Sequence, residues 1–384
     1  MIYLDNCSTT RPRDLVVEKM TDALRISFGN PSSLHRMGMD AEKIMKDSRS
    51  VIASYLGVKN EEIYFTSGGT EGNNIAIQGA LDARKSRGNH IITSMIEHPA
   101  VMNTIKEYEK KGFRVSWIPN GKDGRIDLKR LEEELCDETI LVSLIHVNNE
   151  IGTVQDIGAV GDLLSKSPSK PHFHLDGVQS FGKIQFSLIG NGVDSYAFSG
   201  HKIHGPKGVG GLYINRKARV NPVIFGGNQE MGMRSGTENI PGIAGFGEAV
   251  RILKDQGLIE SEKVGALKDL MTKSLMEQIE DVIINSPAGD LSSPYILNLS
   301  FGWTRGEVLL HYLEEEEIFI STTSACSSKG TDKSHVLKSI GLDDNHIEGT
   351  VRICFSYEIS EEDVYRTVKA LKDSVEMVRS VMRR

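Results

Sequence analysis

The chain has 384 residues, more than one hydrophobic core usually serves, so two domains are expected. A hydrophobic fraction of 39%, a charged fraction of 25% and a net charge of −7 describe an ordinary globular protein and argue against nucleic acid or an anionic membrane as the main partner. Four scattered cysteines (Cys7, Cys136, Cys326, Cys354), none in a C-x-x-C pair, exclude a zinc ribbon, a redox dithiol and a disulfide scaffold.

The opening "MIYLDNCSTT" has Asp5 inside its first apolar stretch and no basic region ahead of it. The longest apolar run, "TILVSLIHV", is too short to cross a bilayer, so a soluble, cytoplasmic protein is expected. Next, "MDAEKIMKDSRSVIASYLG" puts Ile44, Ser48, Val51 and Tyr55 on one helical face, with Gly57 as a stop. From residue 60 to 215, apolar β-rich runs alternate with helical patterns: "EIYFTS", "HIITS", "RVSWIP", "ILVSLIHV", "HFHLDG", "SYAFSG" and "GGLYI". Several are almost continuously apolar, as strands covered on both faces are, and the alternation predicts an α/β layer with a largely parallel sheet. Near residue 260 the pattern changes to a long amphipathic helix with Val264, Leu267, Met271 and Leu275. The strand "YILNLSF", the helix "EVLLHYLEEEE" and the strands "IFIST" and "TVRICFS" follow. A last helix opens at Ser360 with Asp363 three residues on, a variant capping box, and carries the stripe Val364, Val368, Leu371, Val375 and Val378.

Four places can carry chemistry. "YFTSGGTEGNN" reads as strand, glycine-rich turn and helix; free N–H groups there make a phosphate cradle, although an ordinary βα turn has the same outline. In "HFHLDGVQS", alternation puts His172, His174 and Asp176 on one face. These types are zinc ligands, but Asp176 at the carboxyl end of a strand also suits a ligand in the crevice of an α/β sheet, such as a protonated pyridine nitrogen. "SGHKIHGPKG" places Lys202 just past the end of "SYAFSG", facing the same crevice, whereas Lys207 falls on the outgoing turn. Lysine forms Schiff bases with carbonyl cofactors when its pKa is lowered, so Lys202 is either that amine or a surface charge. Cys326 sits in "ISTTSACSSKGTDKSH", which has no apolar periodicity, near Lys329 and Lys333; it is a thiol in use or a tolerated surface cysteine. His98 could stack on a flat ring or serve as a cap, and Arg352 could clamp a carboxylate or be solvated. "GMRSGTEN" is a loop rich in anion-binding donors.

Taken together, "YLDNCSTT", "FGNPSSLHRMG", "FTSGGTEGNN", "EHPAV", "HVNNEIGTVQDI", "HLDGVQSFGK", "AFSGHKIHGPKGVGGLY", "GMRSGTEN" and "SACSS" resemble the cysteine desulfurases of the NifS/IscS type, in the class V aminotransferase family of fold-type I pyridoxal phosphate enzymes. The resemblance spans nearly the whole chain. It implies a large α/β domain, residues 15–258, with a mainly parallel seven-stranded sheet, and a smaller α+β domain, residues 259–384 with 1–14, carrying Cys326. It implies pyridoxal 5′-phosphate held as a Schiff base on Lys202, which then shuttles the Cα proton of L-cysteine. Asp176 would pair with the ring nitrogen, His98 would stack on the ring, and Asn149 and Gln179 would reach its phenolic oxygen. Gly69, Thr70, Ser199 and His201 would hold the phosphate, joined by Thr237 of the neighbouring subunit in a homodimer. Arg352, with Asn149, would bind the substrate, and Cys326 would take the sulfur as a persulfide for a sulfur-acceptor protein such as an iron–sulfur scaffold. No resident metal, nucleic acid or membrane is implied.

Other readings remain. A selenocysteine lyase or a class V aminotransferase would share the fold, though an aminotransferase has no need of Cys326. A sulfur carrier that had lost catalysis would lack Lys202 or Asp176, and both are present. A zinc hydrolase built on His172, His174 and Asp176 would be colourless, where a Schiff base at Lys202 would be yellow.

Overall fold

The computed structural model describes residues 1–322 and 333–382. After β1 (Ile2–Tyr3) come the strands of the main sheet: β2 (Ile63–Thr66), β3 (His90–Ser94), β4 (Arg114–Ile118), β5 (Thr139–Ile145), β6 (His172–Asp176), β7 (Ser195–Ser199) and β8 (Gly210–Ile214). Their order is β2-β8-β7-β6-β5-β3-β4, and only β8 runs against its neighbours. Each coincides with one of the apolar runs. β3, β5, β6, β7 and β8 are buried along their whole length because helices cover both faces. The chain winds outward from β3 to β4 and then steps back across β3 to lay down β5. At such a reversal the loops leaving the carboxyl ends part and open a crevice.

A second layer is built from β9 (Val282–Ile284), β10 (Ile296–Phe301) and β12 (Thr350–Cys354), which pair antiparallel, while β11 (Ile318–Phe319) pairs parallel with β1. The helix Ile240–Gln278 joins the two layers as one 39-residue element. Its first half gives Ile243, Phe246, Val250 and Leu253 to the core under the main sheet, and its second half gives Val264, Leu267, Met271 and Leu275 to the core shared with Ile2, Leu4 and Cys7. The change of pattern near residue 260 therefore marks a change of core partner, with no break in the helix. No helix among the described residues is long and apolar enough to cross a membrane.

Two local details differ from the sequence expectation or sharpen it. The helix Arg36–Leu56 stops at Gly57, as expected, with Gly57 in the left-handed conformation, but its buried side chains are Ala41, Ser48, Arg49, Ile52 and Ala53, with Ile44, Val51 and Tyr55 only half-buried. Arg49 goes inside because Glu230 meets it bidentately at 2.9 and 2.7 Å, while the second Glu230 oxygen also accepts from Phe65 N–H at 2.7 Å. At the last helix, Glu361–Met382, Ser360 N–H donates to Asp363 and Asp363 N–H donates back to Ser360 Oγ, which is the reciprocal cap read from the sequence.

Candidate active site

Four of the main-sheet strands deliver side chains to one place from their carboxyl ends. His98 follows β3, Asn149 follows β5, Asp176 ends β6, and Lys202 closes the short 3-10 turn after β7. Together with Arg352 of β12 and the segment Cys7–Ser8, they line a cavity of about 320 Å³. Gly69, Thr70, Gln179, Ser199 and His201 also reach its wall.

One end of the cavity is a cradle for an anion. The helix Gly69–Arg84 starts there, and the first N–H that finds a carbonyl within the turn is that of Gly72, which bonds Gly68 O at 3.1 Å. Gly68 has φ 156° and ψ −177°, a conformation nearly restricted to glycine. A Cβ on Gly69 would stand 2.2 Å from Val178 Cγ2, so only glycine lets the helix start this close to the β6 loop. Ser199 Oγ is buried in the same corner and finds no hydrogen-bond partner among the described residues. A buried hydroxyl without a partner is costly, and an anion seated on the helix start would satisfy it.

The other end holds the titrating groups. Asp176 is buried, and its two oxygens accept from Val178 N–H at 3.0 Å and from Asn73 Nδ2 at 2.9 Å. Burial pushes its carboxyl above the ordinary range, opposed by His98, these two donors and Lys202. His98 caps the helix Pro99–Lys110 by accepting Ala100 N–H on Nδ1 at 3.1 Å, which leaves Nε2 to carry the proton of a neutral ring. Burial pulls its pKa down. His201 is pulled down to about 4, mainly by burial, and contacts Thr9 Oγ1 at 3.2 Å.

Lys202 Nζ donates to the carbonyls of Cys7 and, at 2.8 Å, Ser8. Burial pulls its ammonium from 10.5 to about 8; the Cys7 thiol opposes this, and the Lys183 and Arg352 cations add to it. Only the free amine attacks a carbonyl, so reaction of the cofactor-free protein with an aldehyde should rise with pH through about 8. Borohydride trapping of the adduct across pH, read by mass spectrometry, checks this. A midpoint near the ordinary lysine value of about 10.4 would contradict it.

Arg352 is almost wholly buried. Its guanidinium donates to Asp5 Oδ1 at 3.1 Å, Ser8 Oγ at 2.9 Å, Ser321 Oγ at 3.0 Å and the Asn149 carbonyl at 2.8 Å. Gln179 donates to the Cys7 carbonyl at 3.0 Å and accepts from Lys183 at 3.4 Å. Of the remaining sequence-derived residues, Thr237 lies exposed on the loop before Ile240–Gln278 and does not line this cavity. Cys326 lies outside the described residues. Residues the sequence reading passed over also belong to the wall, notably Asn73, Cys7 and Ser8. The only signal for Asn73 was its place one helical turn beyond the glycine-rich start. Cys7 looked like any small buried hydrophobe. His172 and His174 share a face with Asp176, as expected, but are joined to it through Ser195 and Asn73, and no group of three or more His, Cys, Asp or Glu among the described residues is placed to hold a metal ion.

A family profile described as Aminotransferase class-V matches residues 2–367. The chain is 38% identical over 380 residues to a cysteine desulfurase IscS of Dictyoglomus turgidum, covering 99% of this chain and 96% of that protein. It is 41% identical over 387 aligned positions to the cysteine desulfurase IscS of Escherichia coli, covering 99% and 94%. Among solved structures, a NifS-like protein superposes with a TM-score of 0.92 at 36% identity, covering 98% of this chain and 99% of that one. A structure described as SspA in complex with cysteine superposes with a TM-score of 0.82 at 34% identity, covering 93% and 99%.

Proposed function

Because the chain belongs to the class V aminotransferase family and its full-length relatives are cysteine desulfurases, we infer that it is a pyridoxal phosphate-dependent cysteine desulfurase that converts L-cysteine to L-alanine and passes the sulfur on. The observation that carries the reading is the meeting, in one cavity, of a half-buried lysine pulled down to about 8, a buried carboxylate and a helix-start cradle whose Ser199 hydroxyl has no partner among the described residues. These suit the cofactor's aldehyde, ring nitrogen and phosphate in turn. Bound there, pyridoxal phosphate supplies an electron sink for the charge left when the substrate's Cα loses its proton.

The chain's own residues do the rest. Lys202 would hold the cofactor's aldehyde and would move the substrate's Cα proton; a lowered pKa suits an amine that must be free near neutral pH. Asp176 would hold the ring nitrogen's proton, and His98 would stack on the ring. Asn149 and Gln179 would reach the phenolic oxygen, while Gly69, Thr70, Ser199 and His201 would hold the phosphate. Arg352 binds the substrate carboxylate, exchanging part of its hold on Asp5 and Ser8. Cys326 takes the sulfur as a persulfide and delivers it to an acceptor protein, such as an iron–sulfur scaffold. The working form is a homodimer in which the partner's Thr237 completes the phosphate site. In support, Thr237 lies on an exposed loop away from its own chain's cavity, close in sequence to Phe225, which is 82% exposed, and Met231, which is 57% exposed. We assign the protein to the cytoplasm, where the described cysteines, all free, stay reduced.

The test is product analysis with L-cysteine, a thiol reductant and the purified yellow protein. Equal amounts of alanine and sulfide are expected. Pyruvate, or no product from a protein that is still yellow, would keep the cofactor and remove the reaction.

A further inference from the structure

Behind the Asp176 carboxylate a line of polar side chains runs through the core, away from the cavity. Asn73 Nδ2 donates to Asp176 Oδ2 at 2.9 Å, and Asn73 Oδ1 meets His174 Nε2 at 2.9 Å. His174 Nδ1 meets Ser195 Oγ at 2.9 Å, and the same Ser195 oxygen meets His172 Nε2 at 2.7 Å. All of these side chains are buried: His172, His174 and Ser195 are 0% exposed, Asn73 1% and Asp176 2%. The geometry follows from the sheet. His172, His174 and Asp176 alternate onto one face of β6, Ser195 is the β7 residue in register with His174, and Asn73 comes from the helix Gly69–Arg84 packed over them.

The direction of every hydrogen bond in this line is determined. An ionised carboxylate only accepts, so the Asn73 atom facing Asp176 is its amide nitrogen, and Asn73 Oδ1 is left as an acceptor. His174 must then carry a proton on Nε2. Burial holds this ring neutral, with its pKa pulled down to about 3, so Nδ1 has no proton and accepts from the Ser195 hydroxyl. The Ser195 oxygen, having used its one proton, accepts from His172 Nε2. His172, also kept neutral by burial, ends the line with a bare Nδ1 that finds no hydrogen-bond partner among the described residues and stands 4.0 Å from Asp194 Oδ2. Four donors in succession all point toward Asp176.

We propose that His172, Ser195, His174 and Asn73 form a one-way hydrogen-bond chain that fixes the orientation of the Asp176 carboxylate and favours its charged form, with His174 and Ser195 as positioning residues that touch neither substrate nor cofactor. The inference rests on the reading of Asp176 as the ionised partner of the cofactor's ring nitrogen. Its physical logic is that a carboxylate taken out of water needs donors, and donors linked in series polarise one another, so each strengthens the next. Both ring nitrogens of His174 are engaged in this chain, at Ser195 Oγ and Asn73 Oδ1, so a metal shared by the two histidines would have to break it.

The first readout is the tautomer of each ring in the wild-type, cofactor-loaded full-length protein, taken from nitrogen-15 NMR with labelled histidine. His172 and His174 should both be neutral with the proton on Nε2; a proton on Nδ1 of His174, or a charged His174, would overturn the chain. The second readout is the dissociation constant of pyridoxal phosphate for Ser195→Ala and Ser195→Thr. Loss of the hydroxyl frees His174 to move its proton to Nδ1 and deprives Asn73 of its donor, so Ser195→Ala should weaken binding several-fold, up to the roughly tenfold expected for one hydrogen bond to a charged group. Ser195→Thr, which keeps the hydroxyl, should bind like wild type. Equal affinities for wild type and Ser195→Ala, both folded, would refute the positioning role. Should Ser195→Ala not fold, the wild-type tautomers still decide. Wild-type protein that bound no pyridoxal phosphate would overturn the functional reading instead, and the tautomers would then be read on the cofactor-free protein, where the same pattern would keep the chain and its absence would overturn it.

Discussion

Lys202→Ala is expected to lower alanine formation from L-cysteine by about a thousandfold or more, within the range seen when a general acid–base group is lost. Under the proposed function two roles would disappear together: the covalent hold on the cofactor and the base that moves the Cα proton. The protein should stay folded. The ammonium sits where burial disfavours its charge, and one of the two carbonyls it serves, that of Cys7, keeps the Gln179 amide as a donor. Added cofactor should still bind through the phosphate cradle and Asp176, but borohydride should leave no cofactor-sized mass on the chain. Lys202→Arg sharpens the test. A guanidinium keeps the positive charge and most of the length but does not give up its proton, so it should rescue nothing. Substantial activity in Lys202→Arg would mean that charge alone matters at this position and that the base lies elsewhere.

Much of this arrangement was legible because its signals are local. The seven strands announced themselves as apolar runs separated by helical periods, and a parallel sheet puts the residues that follow each strand at one edge. Asp176, Lys202 and His98 could therefore be grouped before any distance was known. The glycine-rich start was readable for the same reason, since backbone close to Val178 and a φ near 156° demand residues without a Cβ. What stayed hidden depends on partners far away in sequence. Arg49 reads as a surface charge until Glu230, 181 residues on, arrives to pair with it in the interior. Asn73 reads as an ordinary helix residue until β6 and β7 bring His174 and Ser195 beneath it. The helix through residue 260 reads as a change of pattern because its two halves serve different cores, and a continuous helix with two partners changes its apolar stripe without a break.

The cavity also depends on the second layer. Arg352 belongs to β12, and Asp5, Cys7 and Ser8 to the segment that follows β1. The wall is thus completed by strands from the other core, which meet the main sheet where Arg352 bonds the Asn149 carbonyl and Lys202 bonds those of Cys7 and Ser8. A substrate carboxylate binding at Arg352, as proposed, would enter a hydrogen-bond network already shared by both layers.

Cys326→Ser is expected to abolish sulfide release, by on the order of a thousandfold or more, while leaving the protein yellow. Under the proposed function the step removed would be attack on the substrate's sulfur, which needs a thiolate; a serine hydroxyl is protonated at neutral pH and is a poor nucleophile toward sulfur. The residues flanking this stretch support the role. On one side Ser321 exchanges backbone hydrogen bonds with Arg352, at 3.1 and 2.7 Å. On the other, Ser334 caps the helix His335–Ser339 and donates to Glu150, the neighbour of Asn149, at 2.5 Å. Both ends are therefore tied to the wall of the cavity. Incubation of the wild type with L-cysteine should add one sulfur to the peptide containing Cys326, and the variant should show no such mass. Sulfide released by Cys326→Ser at the wild-type rate would move the acceptor to another thiol. Cys7 would then be the first to change, because among the described cysteines it is the one that lines the cavity.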